Sequence, residues 1–220
     1  MNGSLDFVQT FAIWALPVVF AITLHEVAHG WVARWLGDDT AARQRRLSLN
    51  PLRHIDPVGT ILVPGILVLL HAGFLMGWAK PVPVDARNFR KPLQDMALVA
   101  VAGPLANLAM AIAWGLVFKF AAAADQGGAV HGLALMGRAG LLINVSLMVL
   151  NLLPLPPLDG GRVLVGVLPP RLAHRVARLE PYGMLILAVL AYEGLLGAIL
   201  YWPHRYSMAS IAQLLGLHSS

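Results

Sequence analysis

The sequence predicts an all-α polytopic membrane protein with about four transmembrane helices and one re-entrant or extended membrane-associated element. Three observations carry this. First, the 220 residues are 58% hydrophobic and only 12% charged, with a mean hydropathy of +0.69; an ordinary soluble domain carries about 25% charged residues. Second, four apolar segments reach the roughly 20 residues that cross a bilayer: 7–36, 94–124, 137–168 (interrupted) and 180–202. Third, the basic residues collect in short segments between apolar stretches, where they orient a protein against its membrane.

The net charge of +5 and pI near 10.1 therefore do not imply nucleic acid as a partner. With no cysteine, any metal site must use His, Asp and Glu. The N-terminus lacks the basic start and small-residue cleavage site of a signal peptide, so the first apolar segment is expected to persist in the mature protein. No internal repeat or second soluble domain is visible. Residues 1–220 are expected to form a single membrane-embedded domain, with a core over about 7–168 and an accessory helix and tail over 169–220.

A fifth apolar run, 58–78, is less regular, because Pro64, Gly65, His71, Gly73 and Gly77 break or weaken a helix. The loop before it carries Arg43, Arg45, Arg46 and Arg53; the loop after it carries Lys80, Arg87, Arg90 and Lys91. Basic loops prefer the cytoplasm. If both are cytoplasmic, 58–78 enters and leaves on one face, as a re-entrant element packed against protein. Residues 125–132 hold Asp125 and no Lys or Arg and are expected outside; Arg171, Arg175 and Arg178 place 169–179 inside. Both termini are then outside. The alternative makes the fifth run a true span, for five or six membrane helices. Pro81–Val84 is expected to be extended.

The first apolar segment contains His25-Glu26-Val27-Ala28-His29, with no charge before Glu26 and only Arg34 after it. Histidines four apart share one face of a helix, about one turn apart. Both imidazoles can reach one zinc ion, with the glutamate placed as a base on a water that the zinc activates. Ionisable groups at membrane depth are costly and mark functional sites. The motif points to a hydrolytic metal centre inside a bilayer.

Catalytic zinc takes three protein ligands and keeps one position open. Asp159 follows Asn151-Leu-Leu-Pro-Leu-Pro-Pro-Leu158 and precedes Gly160-Gly161. Three prolines followed by two glycines cannot continue a regular helix, and a break at membrane depth builds a polar pocket. Asp56 is the second candidate, although a capping aspartate before Pro57 is the favoured role there. Glu193, in the last apolar segment, is the third, or else pairs with a neighbouring helix. His54 and His71 flank the expected mouth of the site, and His54 is carried as a possible supporting residue. Trp78, Tyr201 and Trp202 are expected at membrane interfaces.

Taken together, these residues resemble the site-2 protease family of intramembrane zinc metalloproteases. That family combines HExxH in one membrane helix with a later N-x-x-P-x-x-x-x-L-D-G motif, matched here by Asn151, Pro154, Leu158, Asp159 and Gly160. Ala102-Gly103-Pro104-Leu105-Ala106-Asn107 is similar to the family's G-P-x-x-N element. The resemblance covers about residues 7–168 and is that of a minimal form without PDZ or nucleotide-sensing domains.

It implies one catalytic zinc held by His25, His29 and Asp159, with Glu26 as the base. The expected activity is hydrolysis of peptide bonds within or near a transmembrane helix of a membrane-protein substrate. Asn151 and Pro154 are candidate substrate-binding residues; Asn151 either donates to the substrate or ties down carbonyls near Pro154. Asn107 supports helix packing beside Gly103, with a supporting role at the site as the alternative. The resemblance also implies a strand-like segment that pairs with an unwound substrate, for which 77–84 is the candidate. The expected location is the cell (inner) membrane, multi-pass, with the site toward the cytoplasm. A non-proteolytic zinc-binding protein or transporter is the rival; it would need polar groups along a whole path, and the apolar helices offer one cluster.

Overall fold

The computed structural model describes residues 7–70, 77–124 and 127–217. His71 and Gly73 of the fifth run, Asp125 of the expected outer loop and His218 lie outside them. Among the described residues the chain is helical with no strand: an all-α polytopic membrane protein.

Helix α1 spans Phe7–Trp35 and matches the first predicted segment. It closes on Gly37, whose φ of 109° only glycine adopts without strain. Gly37 N–H donates to Arg34 O at 3.1 Å and Asp38 N–H to Ala33 O at 2.9 Å, a Schellman ending that satisfies two last-turn carbonyls. A short α2 (Thr40–Arg43) follows.

The predicted fifth run begins with a π-helical turn, Pro57–Leu62, and α3 (Val63–Leu69). Asp56 caps its start, accepting from Val58 and Gly59 N–H at 3.0 and 2.7 Å, which is the role favoured for it by sequence. The chain then comes back beside its own beginning. Trp78 N–H donates to Gly59 O at 3.1 Å, Lys80 N–H to His54 O at 2.9 Å, and Thr60 Oγ1–H to Trp78 O at 2.9 Å. These bonds hold Trp78 and Lys80 beside the start of the run.

Helix α4 (Pro92–Ala123) and helix α5 (Ala129–Asn151) are the other two helices long and apolar enough to cross a membrane. Here the predicted third segment, 137–168, needs correction. Its span starts earlier, at Ala129, because His131, Gly132 and Arg138 dilute the apolar signal of the first turns. It stops at Asn151, where the prolines begin. The remainder forms a loop and the separate nine-residue α6 (Asp159–Val167). Helix α7 (Pro170–Ala177) carries the basic residues of the predicted inner loop.

The predicted fourth segment, 180–202, also needs correction. It is two helices, α8 (Glu180–Tyr192) and α9 (Leu195–Leu215), bent by 89°. Gly194 sits between them at φ 72°, a left-handed step that ends α8. Apolar residues flank the bend on both sides and only Glu193 interrupts them, so hydropathy averaged over a window does not register it. Among the described residues, three helices are long and apolar enough to cross a membrane, or four if the bent pair is one span. Glu193 lies at this exposed bend, outside both helices.

Helix α4 is central, packed against α1, α5, α6 and α9. Small residues let backbones approach where lipid supplies no hydrophobic drive. A Cβ on Gly137 would lie 2.6 Å from Phe118 N in α4, so α5 meets α4 backbone to backbone. The main core joins Ala111, Leu141, Val145, Met148, Ile211 and Leu215 of α4, α5 and α9. A second cluster (Ala33, Val99 and Phe89) ties the end of α1 and the 77–91 segment to α4.

Candidate metal centre

His25 and His29 point from α1 toward α4, and both rings are buried. Gly103 makes room for them. A Cβ there would lie 2.5 Å from Cε1 of each ring and from His29 Nε2, closer than carbon atoms tolerate. His25 Nδ1 lies 2.6 Å from Asn107 Oδ1, and His29 Nδ1 lies 2.7 Å from Val99 O. Both partners are acceptors, so each Nδ1 carries the proton and each Nε2 presents a lone pair.

Asp159 enters from the opposite side as the first residue of α6. The turn before it closes in part on itself. Leu158 N–H donates to Leu155 O at 3.0 Å, and Gly161 and Arg162 N–H donate to Leu158 O at 3.0 and 3.2 Å. Gly160 and Gly161 lie against the backbone of Leu152, Leu153 and Pro156 with no space for a side chain. Gly183 of α8 likewise seats against the Pro156 carbonyl, which assigns the accessory helix a place: it braces the break.

The result is a buried three-residue cluster. His25 Nε2 and His29 Nε2 are 3.0 Å apart. Asp159 Oδ2 is 3.2 Å from the first and Oδ1 3.4 Å from the second. Two imidazole lone pairs and a carboxylate facing one another repel unless a cation lies between them. Asp159 Oδ2 is buried with no hydrogen-bond donor, a costly condition for a carboxylate oxygen. Ligand atoms about 2.0–2.1 Å from a tetrahedral zinc stand about 3.3 Å from each other, close to the spacing observed. The residues therefore fit a zinc ion. Among the described residues this is the only group of three His, Cys, Asp or Glu close enough to hold a metal.

Glu26 is half-buried beside the cluster, and its Oε2 accepts the Val82 backbone N–H at 2.8 Å. The 77–85 segment lies in no helix or strand. Its even-numbered residues face the body of the protein: Trp78, Lys80 and Val82 all donate inward. Arg46 Nη2 also donates to Lys80 O at 2.8 Å. Pro81 and Pro83 offer carbonyls and no donors, and the Pro81 carbonyl accepts from the same Arg46 Nη2 at 3.2 Å.

The remaining predicted residues sit as follows. Asn151 Nδ2 donates to Leu147 O one turn back at 3.0 Å. Pro154 is exposed at the break. His54 is buried, with Nε2 2.8 Å from Ser48 O, and lies outside the metal-capable group. Asn107 is on the His25 ring. Sequence reasoning missed Val99, Val82 and Asn144. Val99 and Val82 act through backbone atoms and leave no mark in side-chain chemistry. Asn144 had one available signal, a lone amide inside an otherwise apolar span.

A model of peptidase family M50 matches residues 116–191, which include the break and Asp159 but not the His25–His29 helix. Curated relatives extend the likeness over that helix. The chain is 40% identical to the "Putative zinc metalloprotease YwhC" of Bacillus subtilis over 191 residues, 86% of this chain and 83% of the relative. It is 30% identical to the "Putative zinc metalloprotease Rip2" of Mycolicibacterium smegmatis over 213 residues, covering 94% and 78%. The Rip2 of Mycobacterium tuberculosis strain H37Rv is 29% identical over 201 residues, covering 89% and 73%. No solved structure matches. With HExxH in one membrane helix, an aspartate delivered to it by a broken second helix, and relatives matched across most of both chains, this chain belongs to peptidase family M50.

Proposed function

We propose that this protein is an intramembrane zinc metalloprotease that hydrolyses peptide bonds within or beside transmembrane helices of membrane-protein substrates. One observation carries the reading: two Nε2 lone pairs and an unpaired buried carboxylate oxygen converge between membrane helices, with Glu26 beside them. His25, His29 and Asp159 would hold a zinc ion, which would supply the positive charge that acidifies a water and polarises the scissile carbonyl. Glu26 takes the proton from that water on a carboxylate oxygen and returns it to the leaving amine. Val82 N–H holds Glu26 Oε2, leaving Oε1 to carry the proton.

A helical substrate hides its amides in its own hydrogen bonds, so it must unwind to be cut. Support for a docking edge comes from the 77–85 segment lying on Glu26. The Pro83 carbonyl takes a donor from an unwound substrate strand, while the missing N–H groups of Pro81 and Pro83 keep the edge from pairing indiscriminately. Asn151 keeps its Oδ1 for other partners at the break, and with Pro154 it is offered as substrate-facing.

His25 lies ten residues before the end of α1, about 15 Å along the axis, and basic residues follow. That supports a cell-membrane location with the site toward the cytoplasm, and one membrane-embedded domain whose catalytic core is 7–168.

The test is cleavage of a single-span substrate co-reconstituted in liposomes, comparing wild type with Glu26→Gln. The expected result is equal bound zinc in both and cleavage only by wild type. Wild-type cleavage rates from Glu26→Gln would overturn the mechanism.

A further inference from the structure

Two carboxamides, Asn107 on α4 and Asn144 on α5, are fully buried between membrane helices, each 0% exposed. Buried amides at that depth are costly unless fully bonded, and their bonds run in one direction. Asn144 Nδ2 donates to the Gly140 carbonyl at 2.8 Å. That carbonyl is fixed in the α5 backbone and can only accept, so it sets which way the Asn144 amide faces. Asn144 Oδ1 is thereby turned to Asn107 and accepts from Asn107 Nδ2 at 3.0 Å. Ala21 O is a second, longer acceptor for the same nitrogen, at 3.3 Å. With its nitrogen so engaged, Asn107 presents Oδ1 to His25 Nδ1 at 2.6 Å. Reversing the Asn107 amide would set its oxygen against two others and its N–H₂ against His25.

We infer that Asn144 is a positioning residue that sets the tautomer of His25 through Asn107, keeping the proton on Nδ1 and the Nε2 lone pair on the metal. It touches neither zinc nor substrate. The inference rests on the zinc-centre reading above and assigns a role to a residue lying seven positions before the Asn151 motif.

The test is zinc affinity, measured by competition with a chelator of known affinity on purified protein, without reference to cleavage. Partners of this kind are worth about 10–100-fold in metal affinity. Asn144→Leu, of similar volume, is expected to weaken zinc binding about tenfold. Asn144→Asp is expected to restore it, because a buried neutral carboxylic acid can donate to Gly140 O and accept from Asn107. In an Asn107→Ala background, Asn144→Leu should add no further loss, as for two residues acting in series. Unfolding temperatures of the zinc-free proteins separate this from simple destabilisation, with Asn144→Ala as the second variant if the leucine form does not fold.

Wild-type zinc affinity in both Asn144→Leu and Asn144→Ala overturns the inference. So does failure of Asn144→Asp to recover affinity, or full additivity with Asn107→Ala. If the wild-type protein itself binds no zinc, the zinc-centre reading falls first.

Discussion

The Val82 backbone N–H and the Glu26 carboxylate, 56 residues apart in sequence, meet at 2.8 Å. This one bond joins the 77–85 segment to the helix that carries both histidines. It fixes one oxygen of the proposed base. Val82 is held there by packing on Gly30, where any larger residue would displace it.

Removing only that donor tests its contribution. Val82→Pro deletes the N–H. Hydrogen bonds to charged groups contribute about 1.5–3 kcal/mol, so kcat in a reconstituted cleavage assay is expected to fall about tenfold or more. Bound zinc, measured by atomic absorption, should stay at the wild-type level, because no ligand is touched.

Gly103→Ala should act on the metal instead. Its Cβ would strike both imidazoles at 2.5 Å, and α1 and α4 must separate or the rings must turn. Zinc affinity is expected to drop at least tenfold, the scale on which misoriented histidine ligands cost. An unchanged dissociation constant would show that the rings relax without losing their lone-pair geometry.

Asp159→Ala removes the ligand that comes from outside α1. Two histidines remain, and the purified variant is expected to retain little zinc and cleave nothing. A chelator applied to the wild-type protein should give the same inactive state, restored by added zinc; Asp159→Ala should not recover.

Acid should loosen the end of α1 through Asp38. This carboxylate is fully buried, which alone would raise its pKa. Hydrogen bonds from Thr40 Oγ1–H at 2.5 Å, Asp85 N–H at 2.7 Å, Asn88 Nδ2 at 2.7 Å and Thr40 N–H at 3.0 Å outweigh that, and its pKa lies below the usual carboxylate value. A folded-state pKa lower than the unfolded one gives stability that is present above the unfolded pKa, about 3.9, and lost as pH falls through the folded value. Thermal unfolding in detergent should show wild type losing stability below about pH 4. A carboxamide at this position cannot ionise, so Asp38→Asn is expected to be less stable at pH 7 and to lack this part of the acid dependence.

Much of the site was legible in the residues themselves. Histidines four apart inside a long apolar run share one face of a helix about one turn apart, and an apolar helix of that length belongs in a membrane. Three prolines and two glycines before and after an aspartate can only break a helix and expose a carboxylate. Asp56 read correctly as a cap for a local reason: its partners are two and three residues away. The span boundaries at Asn151 and Gly194 were harder, because composition averages over a window and a bend needs only one left-handed glycine.

The sequence alone determined the membrane setting and pointed to the proposed ligands and base, since each follows from local spacing and from the cost of charge in lipid. Only the tertiary structure decided which groups orient them. Val82 N–H, Val99 O and Asn107 reach the HExxH helix from 56, 70 and 82 residues away, and Asn144 reaches it through Asn107, a further 37 residues along the chain. Helix crossings set by small residues bring them there. Hydrogen-bond direction, which depends on three-dimensional approach and leaves no periodicity in the chain, selects the imidazole tautomers that could hold zinc.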